Sequence, residues 1–148
     1  MENVLRMAEH NNNINGFITK TPRILVADDE ATIRKIIKLV LEQSRYEVVE
    51  ASNGEEALTI ISKNTFDLIL LDIMLPRIDG YEVCEIVRLN PDYRNVKIIF
   101  LTAKGREVEI AKGLALGADA YITKPFSNTE LVAKVKELLE KTYEEAGE

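Results

Sequence analysis

Five short apolar runs alternate with five amphipathic segments from Arg23 onward, and this alternation constrains the fold more than any other feature of the chain. The apolar runs are rich in Leu, Ile and Val, which is typical of buried strands, while the segments between them carry apolar residues at helical spacing. The runs are ILVA, YEVVEA, DLILLD, VKIIFLT and DAYIT. Strands that alternate with helices form a parallel sheet covered on both faces. The sequence therefore predicts an α/β fold.

Right-handed crossovers leave few ways to connect five such units. The doubly wound, five-stranded parallel sheet with the flavodoxin-like order 2-1-3-4-5 and helices on both faces is the topology that we expect. Three of the predicted helices also have a starting signal, because a capping residue is followed three positions later by glutamate. The capping residues are Asn53, Asp79 and Ser127.

Composition limits the domain organisation and the classes of partner. A chain of 148 residues supplies one ordinary domain, and we predict a flexible Asn-rich leader at 1–22, a folded domain at 23–143 and a C-terminal tail at 144–148. The net charge of −6 argues against nucleic acid as the main partner. The single cysteine excludes an internal disulfide framework, and no apolar run has the length of a membrane span. These features predict a cytoplasmic protein without membrane insertion.

Polar side chains stand at the ends of four of the five predicted strands. They are Asp28 and Asp29 after the first strand, Asp72 after the third, Thr102 after the fourth and Lys124 after the fifth. Ligands of doubly wound sheets bind at the carboxyl ends of the strands. The sequence therefore predicts one site that contains three carboxylates, a hydroxyl and an ammonium group.

This combination of groups favours phosphoryl chemistry assisted by Mg²⁺. Three carboxylates in one place repel each other, and Mg²⁺ prefers a few carboxylates together with water and phosphate oxygens. A carboxylate can also act as a nucleophile and form an acyl phosphate, for which Asp72 is the natural candidate. Helix capping explains Asp79 and could explain Asp29 in part, but it does not explain Asp72, because the next helix begins several residues later.

Four motifs resemble those of the receiver domain of bacterial two-component response regulators. They are ILVADDE, DLILLDIMLPRIDGYEV, IIFLTAK and GADAYITKPF, and they occur in the family's order at ordinary spacing. The resemblance implies that Asp72 accepts a phosphoryl group and that Mg²⁺ is held by Asp28, Asp29, Asp72 and the backbone carbonyl of Met74. It further implies phosphoryl contacts from Thr102 and Lys124, an aromatic switch at Tyr121 and a cis peptide bond between Lys124 and Pro125.

The resemblance also implies a function and a set of partners. The chain would be a stand-alone receiver that takes its phosphoryl group from a sensor histidine kinase or a phosphotransfer protein. It would catalyse only its own phosphorylation and dephosphorylation. Phosphorylation would change the face formed by the fourth helix, the fifth strand and the fifth helix. We expect that face to contact a downstream protein target, without direct contact to nucleic acid.

The resemblance also implies that two variable positions tune the lifetime of the acyl phosphate. Met74 lies two residues after Asp72, and Lys104 lies two residues after Thr102. Neither is an acid or an amide, so we predict slow self-dephosphorylation, although Lys104 could equally be a solvated loop charge. Two other functions remain open at this point. They are a small phosphohydrolase with an aspartate nucleophile, which usually has a second aspartate at the position of Met74, and a binding module that works without phosphorylation.

Overall fold

A computed structural model describes residues 20–103 and 106–147 of the chain. Most of the predicted leader, residues 1–19, lies outside these described residues, and so does Lys104. The strands are β1 (Arg23–Ala27), β2 (Glu47–Ala51), β3 (Leu68–Asp72), β4 (Lys97–Ala103) and β5 (Ala120–Lys124). The α-helices are α1 (Ala31–Gln43), α2 (Gly54–Lys63), α3 (Gly80–Leu89), α4 (Glu107–Ala115) and α5 (Asn128–Gly147), and a 3₁₀-helix spans Pro91–Tyr93.

The five strands form one parallel sheet in the order β2-β1-β3-β4-β5. The predicted fold class and strand order are therefore confirmed. β3 lies at the centre of the sheet and all five of its residues are buried. A central strand of a parallel sheet is covered on both faces, which explains why Leu68–Leu71 is apolar without alternation.

Two hydrophobic clusters cover the two faces of the sheet. Successive residues of β1 point to opposite faces, so that Ile24 packs with α1 and α5 while Leu25 packs with α2 and α3. Cys84 of α3 lies in the second of these clusters and is fully buried. Burial raises the pKa of the Cys84 thiol to about 11.

The three predicted capping residues accept the expected hydrogen bonds. Backbone N–H groups of the residues three positions later donate to Asn53 over 2.8 Å, to Asp79 over 3.0 Å and to Ser127 over 3.0 Å. α5 continues to Gly147, so that residues 144–147, which were predicted as a tail, are helical. No helix in the described part of the chain is long and apolar enough to cross a membrane.

α3 begins directly against the end of β3. A Cβ atom on Gly80 would lie only 2.4 Å from the backbone oxygen of Asp72, so this approach requires glycine. The N–H of Gly80 donates to the carbonyl of Ile73 over 3.0 Å and fixes the turn. The close packing places the segment after β3 at the carboxyl edge of the sheet.

Candidate functional site

The carboxyl edge of the sheet brings together side chains from four strands. Asp28 follows β1, Asp72 ends β3, Thr102 lies near the end of β4 and Lys124 ends β5. The first three are buried, with exposed fractions of 0% for Asp28, 6% for Asp72 and 3% for Thr102. Buried polar side chains are uncommon unless they are paired or functional, and these three lie at the edge where such sheets bind ligands.

Lys124 connects two of the carboxylates. Its Nζ atom lies 2.7 Å from Oδ2 of Asp28 and donates a hydrogen bond of 2.8 Å to Oδ2 of Asp72. It also lies 3.4 Å from Oε1 of Glu30, which is mostly exposed. Burial alone would lower the pKa of Lys124, but the hydrogen bonds and charges of Asp28 and Asp72 outweigh burial and raise that pKa above its usual value. Lys124 is therefore a firmly protonated cation at neutral pH.

The carboxylates are oriented by local backbone groups. The N–H of Glu30 donates to Oδ1 of Asp28 over 2.9 Å, and the N–H of Met74 donates to Oδ1 of Asp72 over 2.8 Å. Each aspartate thus accepts a hydrogen bond from the residue two positions later, as in an Asx turn. The second oxygen of each carboxylate, Oδ2, contacts the ammonium group of Lys124.

The acidic residues fit a divalent cation. Asp28, Asp29 and Asp72 each offer a carboxylate oxygen, and these oxygens lie within 4.8 Å of one another. Oδ2 of Asp28 is fully buried, and the group that it contacts is the ammonium group of Lys124, at 2.7 Å. One ammonium group does not neutralise three carboxylates at such short distances. A hard cation such as Mg²⁺ would neutralise the excess negative charge of the three carboxylates.

The ionised carboxylate of Asp28 should lower the free energy of unfolding when no metal is bound. Burial raises its pKa above the ordinary value, and the hydrogen bonds from Lys124 and from the Glu30 N–H offset this only in part. The folded state therefore binds the Asp28 proton more tightly than the unfolded state, and ionisation of Asp28 lowers the free energy of unfolding as pH rises through the folded pKa. We expect Asp28→Asn to be more stable than wild type at pH 7 without metal.

Urea unfolding between acidic and neutral pH measures this effect. The stability difference between Asp28→Asn and wild type should shrink as the pH falls and Asp28 becomes protonated in both states. Added Mg²⁺ should stabilise wild type and leave the variant unchanged. The prediction is contradicted if Asp28→Asn, without metal at pH 7, unfolds at a lower urea concentration than wild type does.

The remaining predicted site residues have different surroundings. Among the residues that the structure describes, the hydroxyl of Thr102 has one long contact, 3.5 Å to the carbonyl of Ala103. The side chains of Tyr121 and Met74 are exposed by 42% and 62%. The peptide bond between Lys124 and Pro125 is cis. Lys104 has no described position, and its predicted role is untested.

Sequence reasoning missed two charged residues beside the site. Arg34 of α1 donates to the backbone carbonyl of Asp28, and Glu50 of β2 accepts from Arg34. β2 is an edge strand, and it is the strand on which no site residue was predicted. The β2 run contains two glutamates, and a usable signal was Glu50, which is followed by the apolar end of the strand and needs a partner because its side chain is largely buried.

The family model for the response regulator receiver domain matches residues 24–136. The chain belongs to the response regulator receiver family. The predicted receiver domain of two-component systems is thereby confirmed, and this family is not one of conventional enzymes. Receiver domains generally use Mg²⁺, with which the acidic cluster is consistent.

Several known receivers and regulators are similar to this chain. The transcriptional regulatory protein SrrA of Staphylococcus aureus is 46% identical over 119 residues, which cover 80% of this chain and 48% of SrrA. The receiver domain of the Francisella response regulator 1452 is 37% identical with a TM-score of 0.76, covering 82% of this chain and 99% of that one. The chemotaxis response regulator CheY4 of Vibrio cholerae is 30% identical with a TM-score of 0.77, covering 80% and 99%.

The predicted partners require a correction. Sequence reasoning restricted the output of this receiver to a downstream protein target and excluded nucleic acid, and this prediction is wrong, because the curated relatives are named transcriptional regulators. The chain spans about half the length of these relatives. The negative charge of this receiver says nothing about the charge of the other half of such a regulator, so it could not exclude nucleic acid.

Proposed function

We propose that this receiver is a signalling switch that accepts a phosphoryl group on Asp72. The observation that carries the proposal is the position of Lys124, whose ammonium group contacts Asp28 and Asp72 together inside the acidic cluster. The donor is a phosphohistidine of a sensor histidine kinase or of a phosphotransfer protein. A cytoplasmic location, where such donors act, is part of the proposal.

The side chains of the chain account for the transfer. A carboxylate oxygen of Asp72 attacks phosphorus and forms the O–P bond, while the N–P bond breaks and the imidazole of the donor leaves. The Lys124 ammonium group moves its hydrogen bond from the Asp72 carboxylate to a phosphoryl oxygen. The Thr102 hydroxyl donates a hydrogen bond to another phosphoryl oxygen. Asp28, Asp29, Asp72 and the carbonyl of Met74 would hold Mg²⁺. When bound, Mg²⁺ supplies positive charge that offsets the charge of the phosphoryl oxygens.

The switch is a two-state equilibrium that the phosphoryl group shifts. Movement of Thr102 toward the new oxygens would vacate space beside β5, and the half-exposed ring of Tyr121 could turn into that space. The names of the curated relatives favour transcription as the process that this switch controls. The direct test of the proposal is phosphoryl uptake from acetyl phosphate with Mg²⁺, measured on wild type and on Asp72→Asn.

We also propose that the acyl phosphate is long-lived, because an apolar side chain stands where a water-activating group could act. Met74 is mostly exposed and follows Asp72 by two residues, so it can be replaced with little effect on folding. We expect Met74→Glu, which adds a general base near the phosphoryl group, to shorten the half-life of the phosphorylated protein about tenfold or more.

Intact-protein mass spectrometry after removal of acetyl phosphate measures this half-life. Met74→Leu is the matched control, since it keeps an apolar side chain of similar volume and should leave the half-life near that of wild type. Loss of the phosphoryl group from wild type within seconds at room temperature contradicts slow self-dephosphorylation. An unchanged half-life in Met74→Glu contradicts the role of Met74.

A further inference from the structure

Arg34 connects the acidic cluster, Asp28, Asp29 and Asp72, to the edge strand β2. Its Nη1 atom donates to the backbone carbonyl of Asp28 over 2.7 Å, and its Nε atom donates to Oε1 of Glu50 over 2.9 Å. The side chains of Arg34 and Glu50 are only 14% and 17% exposed. A guanidinium group that bridges two acceptors in such a half-buried place is held in one orientation, because its donors have a fixed fork geometry.

These contacts attach both peptide groups of Asp28 to β2. The N–H of Asp28 donates to the carbonyl of Ala51 over 3.1 Å, and the carbonyl of Asp28 is held through Arg34 by Glu50. Asp28 itself is fully buried. Without the guanidinium group, its carbonyl would lose a strong, charge-assisted hydrogen bond at a place that water does not readily reach. The backbone of the loop that carries Asp28 and Asp29 would then relax.

We propose that Arg34, held by Glu50, is a positioning residue for the Mg²⁺ site, which keeps the two carboxylates of the β1 loop at their short distance from Asp72. This inference rests on the proposed function, in which Asp28, Asp29 and Asp72 bind Mg²⁺. It assigns a role in the site to the edge strand β2, which has no side chain of its own in the acidic cluster. Groups behind metal ligands commonly change metal affinity by about 10- to 100-fold.

The sign of the effect separates positioning from simple electrostatics. Arg34 is a cation close to the acidic cluster and repels Mg²⁺. If charge alone mattered, its removal should therefore strengthen Mg²⁺ binding. Positioning predicts the opposite, a weaker affinity. Lys35 provides a matched control for the charge, because it also pairs with Glu50, over 3.0 Å to Oε2, but its exposed side chain contacts no group of the Asp28 backbone.

Isothermal titration calorimetry of the full chain with Mg²⁺ tests the proposal. We expect Arg34→Gln to raise the dissociation constant about tenfold, while Lys35→Gln should leave it unchanged or lower it slightly. The affinity should also fall in Glu50→Gln, which keeps an acceptor oxygen but loses the charge that holds Arg34. Arg34→Lys keeps the charge without the fork, so it should bind Mg²⁺ more weakly than wild type as well.

A substitution that only destabilises the fold would lower the thermal midpoint of unfolding without changing the affinity for Mg²⁺. The titrations are therefore performed well below the midpoint of each variant. Arg34→Gln and Arg34→Lys that bind Mg²⁺ as tightly as wild type, or more tightly, overturn the positioning role and leave the proposed function intact. Absence of Mg²⁺ binding by wild type itself contradicts the proposed function. If Arg34→Gln does not fold, Arg34→Lys and Glu50→Gln decide the outcome.

Discussion

Replacing Asp72 with asparagine should abolish phosphoryl uptake from acetyl phosphate. Asparagine has nearly the same shape and can still accept the hydrogen bond from the Met74 N–H, so the local backbone should keep its conformation. It lacks the anionic oxygen that attacks phosphorus, and its amide nitrogen places a second donor group toward the Lys124 ammonium. We expect wild type to gain the mass of one phosphoryl group and the variant to gain none.

Asp79→Asn is the matched control for this experiment. Asp79 lies in the same segment and caps α3, and asparagine caps helices about as well as aspartate does. The control should therefore take up the phosphoryl group as wild type does. Phosphoryl incorporation into Asp72→Asn at the level of wild type would remove Asp72 from its proposed role as the acceptor.

Replacing Lys124 with methionine should affect both stability and phosphoryl transfer. Methionine keeps the length of the side chain but leaves Asp28 and Asp72 without their shared cation. Removal of one partner from a mostly buried ion pair commonly costs about 3 kcal/mol, because a charge remains buried without compensation. We therefore expect the free energy of unfolding without metal to fall by about 3 kcal/mol, and Mg²⁺ to restore much of this loss.

The rate of phosphoryl uptake by Lys124→Met should fall about a hundredfold, since a positive charge aimed at the phosphoryl oxygens is lost. Urea unfolding with and without Mg²⁺ and the time course of phosphorylation by intact mass measure the two effects. Lys134→Met is the control, because Lys134 forms an exposed ion pair with Glu137 on α5 and should cost less than about 1 kcal/mol. A Lys124→Met protein with wild-type stability and rate contradicts the proposed role of Lys124.

Periodicity and capping residues were enough to predict the fold. Three helices start directly after the predicted capping residues Asn53, Asp79 and Ser127, and the strands differ from the predicted runs by one residue at one or both ends. β5 shows the reason for such differences, since the sequence placed its end at Thr123, whereas Lys124 still pairs with Ala103 of β4. The end of a strand depends on its neighbour's register, which its own sequence does not contain.

The same limit applies to the site. The residues that end four strands could be predicted to meet, because parallel strands place their carboxyl ends at one edge. The contact between Arg34 and Glu50 could not be predicted in this way, because it joins a helix to an edge strand 16 positions further along the chain. It depends on the rotation of α1 about its axis and on which side chains of β2 face that helix. Charge and periodicity leave both of these undetermined.

The burial of Cys84 has a practical consequence for spectroscopy on this molecule. It is the single thiol of the chain, it is enclosed in the core, and its high pKa leaves almost no thiolate at neutral pH. Maleimide or methanethiosulfonate reagents should therefore leave the native protein unmodified. A cysteine introduced at the exposed position of Val108 could then carry a fluorophore or a spin label without prior removal of Cys84, so that motions of α4 could be followed in an otherwise unaltered background.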